Sequence, residues 1–383
     1  MSTLVKISAI IATALCALSA LADETLEIRK DAARLIRVSV AGFAGEAESV
    51  LKFDLSVLGM EITTPENAEF LVGGHDNGHV EGTLAAAGNR PLWSRSYAGG
   101  SARSQAHAFA NDIVKEIRQT APIFQTRIAF RQQSGAANEI CVADYDGANA
   151  QMITHDGALI SGPSWAPGGQ KIFYTSWKSG DTQILEHNLA SGARRLFAGY
   201  PGANFSPEVS PDGQRVAMIL SKGGSPNLYV SAIDGGGLKQ LTLTREEDSS
   251  PCWSPDSRTI CFVCRSGRAR LQTISADGGS AHNLAVTGVF GNMTSPDWSP
   301  DGQQIAFTTG SGLFSICVVP SAGGQAQKLV EGEDPCWAPN SRTIIFTRRA
   351  STRRILCLLD VPTKHVKDVR QLTGSCSEPS WAR

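Results

Sequence analysis

A seven-residue pattern built on Pro-x-Trp-Ser-Pro-Asp-Gly recurs through the C-terminal part of the chain and limits its fold more than any other feature. Pro163-Ser164-Trp165-Ala166-Pro167-Gly168-Gly169 returns as Pro207-Glu208-Val209-Ser210-Pro211-Asp212-Gly213, then as Pro251-Cys252-Trp253-Ser254-Pro255-Asp256-Ser257. Pro296-Asp297-Trp298-Ser299-Pro300-Asp301-Gly302 and Pro335-Cys336-Trp337-Ala338-Pro339-Asn340-Ser341 follow, and Pro379-Ser380-Trp381-Ala382-Arg383 is a shortened sixth copy. The steps between these prolines are 44, 44, 45, 39 and 44 residues. A period of that length, filled with short apolar runs, belongs to four-stranded propeller blades.

Each part of the pattern has a physical role. Ser-Pro-Asp-Gly suits a type I turn, with Pro fixing φ at the second position and Gly at the fourth. The next strand starts at once, as Ile172-Phe173-Tyr174, Val216-Ala217-Met218, Ile260-Cys261-Phe262, Ile305-Ala306-Phe307 and Ile344-Ile345-Phe346. Its outer two positions share one sheet face and the middle one takes the other. All three are apolar, so both faces are expected to be buried, as stacking of blades requires. A third strand follows, such as Asn227-Leu228-Tyr229-Val230, then a Gly-rich turn, such as Asp234-Gly235-Gly236-Gly237. The fourth strand is more polar, as in Lys239-Gln240-Leu241-Thr242.

One copy lacks its beginning. Ile128-Ala129-Phe130, Glu139-Ile140-Cys141-Val142 and Gln151-Met152-Ile153 read as second, third and fourth strands with no Trp-Ser-Pro-Asp ahead of them. The orphan first strand at 379–383 supplies the missing piece. The expected fold is therefore a small α/β N-terminal domain followed by an all-β six-bladed β-propeller, closed by the C-terminal strand.

The N-terminal region has another texture. Lys6, the apolar stretch Ile7 to Leu21 and Ala20-Leu21-Ala22 read as an export signal over 1–22, cleaved between Ala22 and Asp23. Residues 23–120 read as the α/β domain. Strands are expected at Leu35–Val40, Glu69–Val72, Val80–Leu84 and Leu92–Tyr97. Helices are expected at Glu46–Leu58 and Ser101–Arg118, the second with Ala106, Phe109, Ile113 and Ile117 along one face. Thr120-Ala121-Pro122 is a hinge, and the propeller spans 124–383. No segment after the signal is long and apolar enough to span a membrane. A soluble protein outside the cytoplasm is expected.

Charge is balanced, with 35 basic and 36 acidic side chains, so no global field favours nucleic acid or an anionic membrane. No Gly-x-Ser-x-Gly elbow, phosphate-binding Gly-rich loop or His-Glu-x-x-His is present. His75 and His79 sit in a Gly-rich loop and read as a solvated turn rather than a metal site. Cys261 and Cys264, three apart on a strand, point to opposite faces, which argues against a redox or zinc pair. The cysteines are expected to be mostly buried and reduced, with a Cys376 bridge to a neighbour left open. Arg348, Arg349, Arg353 and Arg354 flank a hairpin turn and read as a solvated loop.

The junction carries a more specific signal. Ala106-His107 and Asn111-Asp112-Ile113 on the last helix lead into Phe124-Gln125-Thr126-Arg127-Ile128-Ala129-Phe130. With the repeats, the helix-to-propeller order and the export signal, this resembles the TolB family, periplasmic propeller proteins of the Tol-Pal cell-envelope system. The repeat alone is shared with propellers of prolyl-oligopeptidase-type and tricorn-type peptidases.

The resemblance implies a non-enzymatic periplasmic adaptor, monomeric and without cofactor or metal, that serves outer-membrane integrity and cell division. It implies binding of a Pal-like lipoprotein through the loops ahead of each repeated Pro: Gly202–Ser206, Glu246–Ser250, Gly291–Ser295, Glu331–Asp334 and Ser377-Glu378. The residues singled out are Asn204, Phe205, Ser206, Glu247, Asp248, Ser249, Asn292, Thr294, Glu333, Asp334 and Glu378. A TolA-like inner-membrane-anchored protein would take the tail Asp23, Glu24, Thr25, Leu26 and Glu27.

Two alternatives use the central channel instead, as an exported enzyme or a carbohydrate-binding propeller. An enzyme would want convergent carboxylates or His on the inner strands. The residues after each repeated Pro are Ser164, Glu208, Cys252, Asp297, Cys336 and Ser380, of which two are acidic. A carbohydrate binder would want aromatic side chains exposed on one rim, and most Trp residues here belong to the repeat.

Overall fold

The computed structural model describes residues 33–310 and 312–383. The expected signal, its cleavage point at Ala22 and Asp23, and the tail Asp23–Glu27 lie outside the described residues. The first elements are β1 (Ile36–Ala41), α1 (Gly45–Val57), β2 (Met60–Ile62), β3 (Phe70–His75), β4 (Val80–Ala86), β5 (Arg90–Tyr97) and α2 (Ala102–Arg118). They form one sheet in the order β2-β1-β3-β4-β5, parallel at β2-β1-β3 and antiparallel from β3 to β5. Ser101 caps α2 by accepting the Ser104 N–H, and Gln119 ends it in a left-handed conformation. Ala106, Phe109 and Ile113 are buried and Ile117 packs at the edge of the same core, so the face read from the sequence is the one that packs.

From Arg127 to Trp381 the chain forms six four-stranded antiparallel sheets. Blade 1 takes its innermost strand from Cys376–Trp381 and its other three from Arg127–Ser134, Ala137–Asp144 and Gln151–Met152. Trp381 pairs with Ile128 and Ser380 with Ala129, which closes the ring as the orphan repeat predicts. Blades 2 to 6 begin with inner strands Ile160–Trp165, Asn204–Val209, Glu247–Trp253, Asn292–Trp298 and Glu333–Trp337.

The repeat is turn and core chemistry. Gly213 N–H bonds Ser210 O at 2.8 Å, and Gly302 bonds Ser299 O likewise at 2.8 Å, closing the turns. Ser254 Oγ donates to Asp256 Oδ1 at 2.6 Å while accepting the Thr259 N–H at 2.9 Å. The Trp side chains tie blades together. Trp253 Nε1 of blade 4 donates to Glu208 O of blade 3 at 2.9 Å, and Trp165 of blade 2 to Ser380 O of blade 1 at 3.1 Å.

Each interface between consecutive blades from 1 to 6 holds its own apolar cluster. The closing interface differs. Ile345, Leu356 and Leu358 of blade 6 and Ile128, Phe130 and Trp381 of blade 1 belong to one continuous core with α1, α2 and the N-terminal sheet. Full burial of such a side chain contributes roughly 1.5–3 kcal/mol, so the ring's seam and the α/β domain stabilise each other.

A buried polar network crosses the same boundary. His107 of α2 lies against Asp54 of α1, and Tyr145 from the blade 1 turn donates its hydroxyl to Asp54 Oδ1. Arg103 pairs with Asp146 on that turn. Tyr145 is stacked on Trp381, with ring centroids 6.3 Å apart.

Candidate docking face and channel

Antiparallel strands place the loops ahead of each inner strand, and those between second and third strands, at one end of the ring. The Ser-Pro-Asp-Gly turns and the Gly-rich turns lie at the other end. The α/β domain occupies the turn end: Arg103 reaches Asp146, and Gly59 packs against Asp360 and Thr363. Among the described residues the α/β domain leaves the loop end uncovered, and this end carries all the loop residues singled out from sequence.

One backbone device repeats around it. Gly162, Ser206, Ser250, Ser295, Asp334 and Glu378, each directly before the repeated Pro, have φ between +47° and +60°. The register of every inner strand shifts there. Such a bulge bends a strand and re-aims its side chains. Here it turns a ring of Ser, Asp and Glu toward the mouth of the channel, a cavity of about 330 Å³. No signal in the sequence marks it, because the positions are mostly Ser, Asp or Glu rather than Gly.

The structure divides the singled-out residues. Asn204 is buried, and its amide donates to Tyr200 O, Gly202 O and Thr182 O, so it clamps its own loop. Asp248 is buried too and accepts from Thr242 Oγ1 at 2.5 Å. Phe205 packs partly into the interface of blades 3 and 4. Glu333 is held by Arg349 and Arg354 at 2.9 and 3.1 Å, and burial opposed by these cations leaves its pKa below the usual range. Arg348 pairs with Asp368 at 2.6 Å. Arg348, Arg349 and Arg354 thus make ion pairs within blade 6 while remaining solvent-accessible, and Arg353 is exposed. Glu378 accepts from Arg131 and from Gly162 N, both at 2.8 Å. Burial and the carboxylates of Glu378 and Glu333 push Asp334 up to about 6. Glu247 and Asn292 are exposed, while Ser206, Ser249 and Thr294 are half-buried on the rim.

The sequence reading missed the apolar side chains on this end. Leu243, Phe290 and Leu313, in loops of blades 4 and 5, are 85%, 86% and 78% exposed, and Leu159 and Trp177, in loops of blade 2, are exposed too. All five lie in loops of the uncovered end. Scattered exposed apolar residues are ordinary, but their concentration on one face of a ring marks an interaction surface.

Deeper in the channel, Glu208 is pushed up to about 8 by burial, with Asp297 adding to the rise. Asp297 Oδ2 accepts the Trp337 N–H and pairs with Arg383. One carboxyl is thus protonated at neutral pH and the other is engaged by protein donors.

The other sequence candidates resolve as follows. His75 and His79 both reach Glu81, at 3.3 and 2.7 Å, beside the β3–β4 turn. Cys261 and Cys264 belong to different interblade clusters, on opposite faces as expected. The eight described cysteines are free, and all but Cys336 are buried. Burial pushes the Cys317 and Cys376 thiols up to about 11.

These features define a class: a six-bladed propeller of the Trp-Ser-Pro-Asp-Gly type, with an α/β domain on its turn face and an uncovered loop face. The chain belongs to the TolB β-propeller domain family, whose model matches residues 114–383. It is 36% identical over 155 residues to the Tol-Pal system protein TolB of Anaeromyxobacter dehalogenans strain 2CP-1, a match covering 40% of this chain and 36% of that protein. The corresponding protein of Anaeromyxobacter sp. strain K matches equally, at 36% over 155 residues. The chain thus spans about a third (36%) of the length of the curated relatives it matches. Its fold is similar to the crystal structure of TolB from Acinetobacter baumannii, with a TM-score of 0.81 at 19% identity, covering 91% of this chain and 97% of that one. A putative TolB from Agrobacterium tumefaciens is similar at TM-score 0.53 and 18% identity, over 64% of this chain and 89% of that one.

Proposed function

We propose that the chain is a non-enzymatic adaptor of the Tol-Pal system. It is exported to the periplasm on the cleaved signal 1–22 and acts there in outer-membrane integrity and cell division. The loop face binds a Pal-like lipoprotein, and the N-terminal region, with the tail Asp23–Glu27, engages a TolA-like protein. The single observation that carries this reading is the uncovered loop face, where Leu243, Phe290 and Leu313 stand exposed around the ring of bulged Ser, Asp and Glu residues. Large apolar side chains gathered on one exposed face mark an interaction surface.

The test is capture of a Pal-like lipoprotein from envelope extract by the mature chain. Leu243→Asp with Glu247→Lys should reduce capture at least about tenfold, the usual weight of a central interface contact, while thermal stability is unchanged. Equal capture by this variant would remove the loop face from the reading. Asp248 is unsuitable for charge reversal, because its carboxyl is buried against Thr242.

A further inference from the structure

The loop face is not uniform, and blade 4 carries a positive patch that the channel-mouth reading does not use. Arg245, Arg265, Arg268 and Arg270 are all exposed, and none forms an ion pair among the described residues. This is unlike Arg348, Arg349 and Arg354 of blade 6, which are paired with Asp368 and Glu333. The overall charge is −1, so this group of four arginines, which outnumbers the Glu246 and Glu247 carboxylates beside it, is a local feature and not a reflection of a basic protein.

Its setting is built by a break in the blade pattern. The third strand of blade 4 is Arg268–Ser275, but its fourth strand is only His282–Asn283. It pairs at Gln272 and Thr273, with Leu284 N–H donating to Leu271 O at 3.0 Å, and leaves Arg268–Arg270 without a fourth-strand neighbour. The following loop departs sideways, and Val286-Thr287 pairs instead with Gly324-Gln325 of blade 5. A cavity of about 500 Å³ opens between strand and loop. Leu284, Val286 and Val289 line it, Phe290 stands at its edge, and Arg268 and Arg270 border it. Arg268 and Arg270 are two apart on a strand and so share one face. Arg268 Nε donates to Gly291 O at 2.7 Å, which fixes this guanidinium beside the cavity.

We infer that this cavity is a docking site for a short acidic segment of a protein partner that carries an apolar side chain. The apolar side chain would fill the space between Leu284 and Val289, and flanking carboxylates would reach Arg268 and Arg270. The arginine fork suits bidentate carboxylate recognition, and a volume of this size suits one large side chain. Arg245 and Arg265 widen the field that would steer an acidic segment to the site. The site shares Phe290 with the loop face proposed for the lipoprotein, while Arg268 and Arg270 belong to it alone.

The test uses the full mature chain and a fluorescein-labelled Asp/Glu-rich peptide with one central Trp, read by anisotropy at low and high salt. Its Asn/Gln counterpart and phosphatidylglycerol vesicles serve as comparisons. The acidic peptide should bind, bind more weakly at high salt, and lose about tenfold or more in affinity with Arg265→Glu plus Arg270→Glu, the weight expected of desolvated charge pairs. That variant keeps the Arg268 bond to Gly291, and unchanged thermal unfolding would show it folded. Phe290→Ala should weaken binding without altering its salt dependence. Equal binding by variant and parent, equal binding of the uncharged peptide, or tighter binding of the vesicles would each overturn the proposal.

Discussion

His107 Nδ1 lies 2.7 Å from Asp54 Oδ2, buried between the two helices of the N-terminal domain, while its Nε2 faces Asp146 of the propeller at 3.8 Å. One imidazole thus stands between a carboxylate of its own domain and a carboxylate of the next. Burial opposes its charged form, but Asp54 and Asp146 outweigh burial and hold its pKa above the usual histidine value.

The first prediction follows from the sign of that shift. A raised folded-state pKa stabilises the fold fully below the unfolded value near 6.5, and the gain is lost as pH rises through the folded value. Stability should therefore decline from mildly acidic to alkaline pH, and His107→Gln should flatten the decline. Breaking the buried pair should cost about 3–5 kcal/mol at acidic pH. Urea unfolding across pH measures both; a parallel shift with an unchanged slope would count against the linkage.

Glu208 gives a second pH-dependent effect. Its pKa, raised by burial from 4.5 to about 8, means that its stabilising protonated form is lost as pH rises through about 8. The unfolded carboxyl ionises from near 4.5, so the loss begins there. Glu208→Gln keeps the neutral shape and should be near neutral at pH 4 and stabilising at pH 7, by roughly 3 kcal/mol given the scale of 1.36 kcal/mol per pKa unit. Melting curves at the two pH values decide it.

Trp381 sits at the seam. It is buried, stacks on Tyr145, and donates from Nε1 to Thr126 Oγ1 at 2.7 Å. Trp381→Ala should cost about 3–5 kcal/mol. Because the seam shares its core with the α/β domain, hydrogen exchange should rise in α1 and α2 as well as in blade 1. Exchange confined to blade 1 would argue that the shared core is not cooperative.

The bulge positions make a fourth test. Ser250 has φ +47°, where a β-branched side chain is strained. Stability should follow the order Gly at least equal to Ser, with Val lower by about 1–2 kcal/mol. Chemical denaturation of Ser250→Gly and Ser250→Val reads the order directly.

The propeller was legible because its chemistry is repeated. Turn, buried triplet and Trp recur, so each copy corroborates the others, and the half-repeats at 128–153 and 379–383 revealed their pairing by what each lacked. The N-terminal elements were readable from periodicity, as with Ala106, Phe109 and Ile113. The face-level detail was not. Asn204 and Asp248 look like exposed loop residues in sequence, yet their short polar side chains turn inward to satisfy backbone and Thr groups. Leu243 and Phe290, which the repeat does not single out, are exposed. The reversal arises because loop orientation depends on the bulge before each Pro, which has no residue signature. The Arg349 and Arg354 pairing with Glu333 joins strands in a way that spacing alone cannot disclose.

The split blade sets an order of events. Arg131 meets Ser377 across 246 positions of chain, so blade 1 stays a three-stranded fragment with an open edge until the far end arrives. Contacts of such sequence separation form slowly, and an unpaired edge invites mispairing while it waits. The other five blades can consolidate from neighbouring sequence. Completion of the ring, and of the domain packed on its seam, becomes a single late event in the life of each molecule.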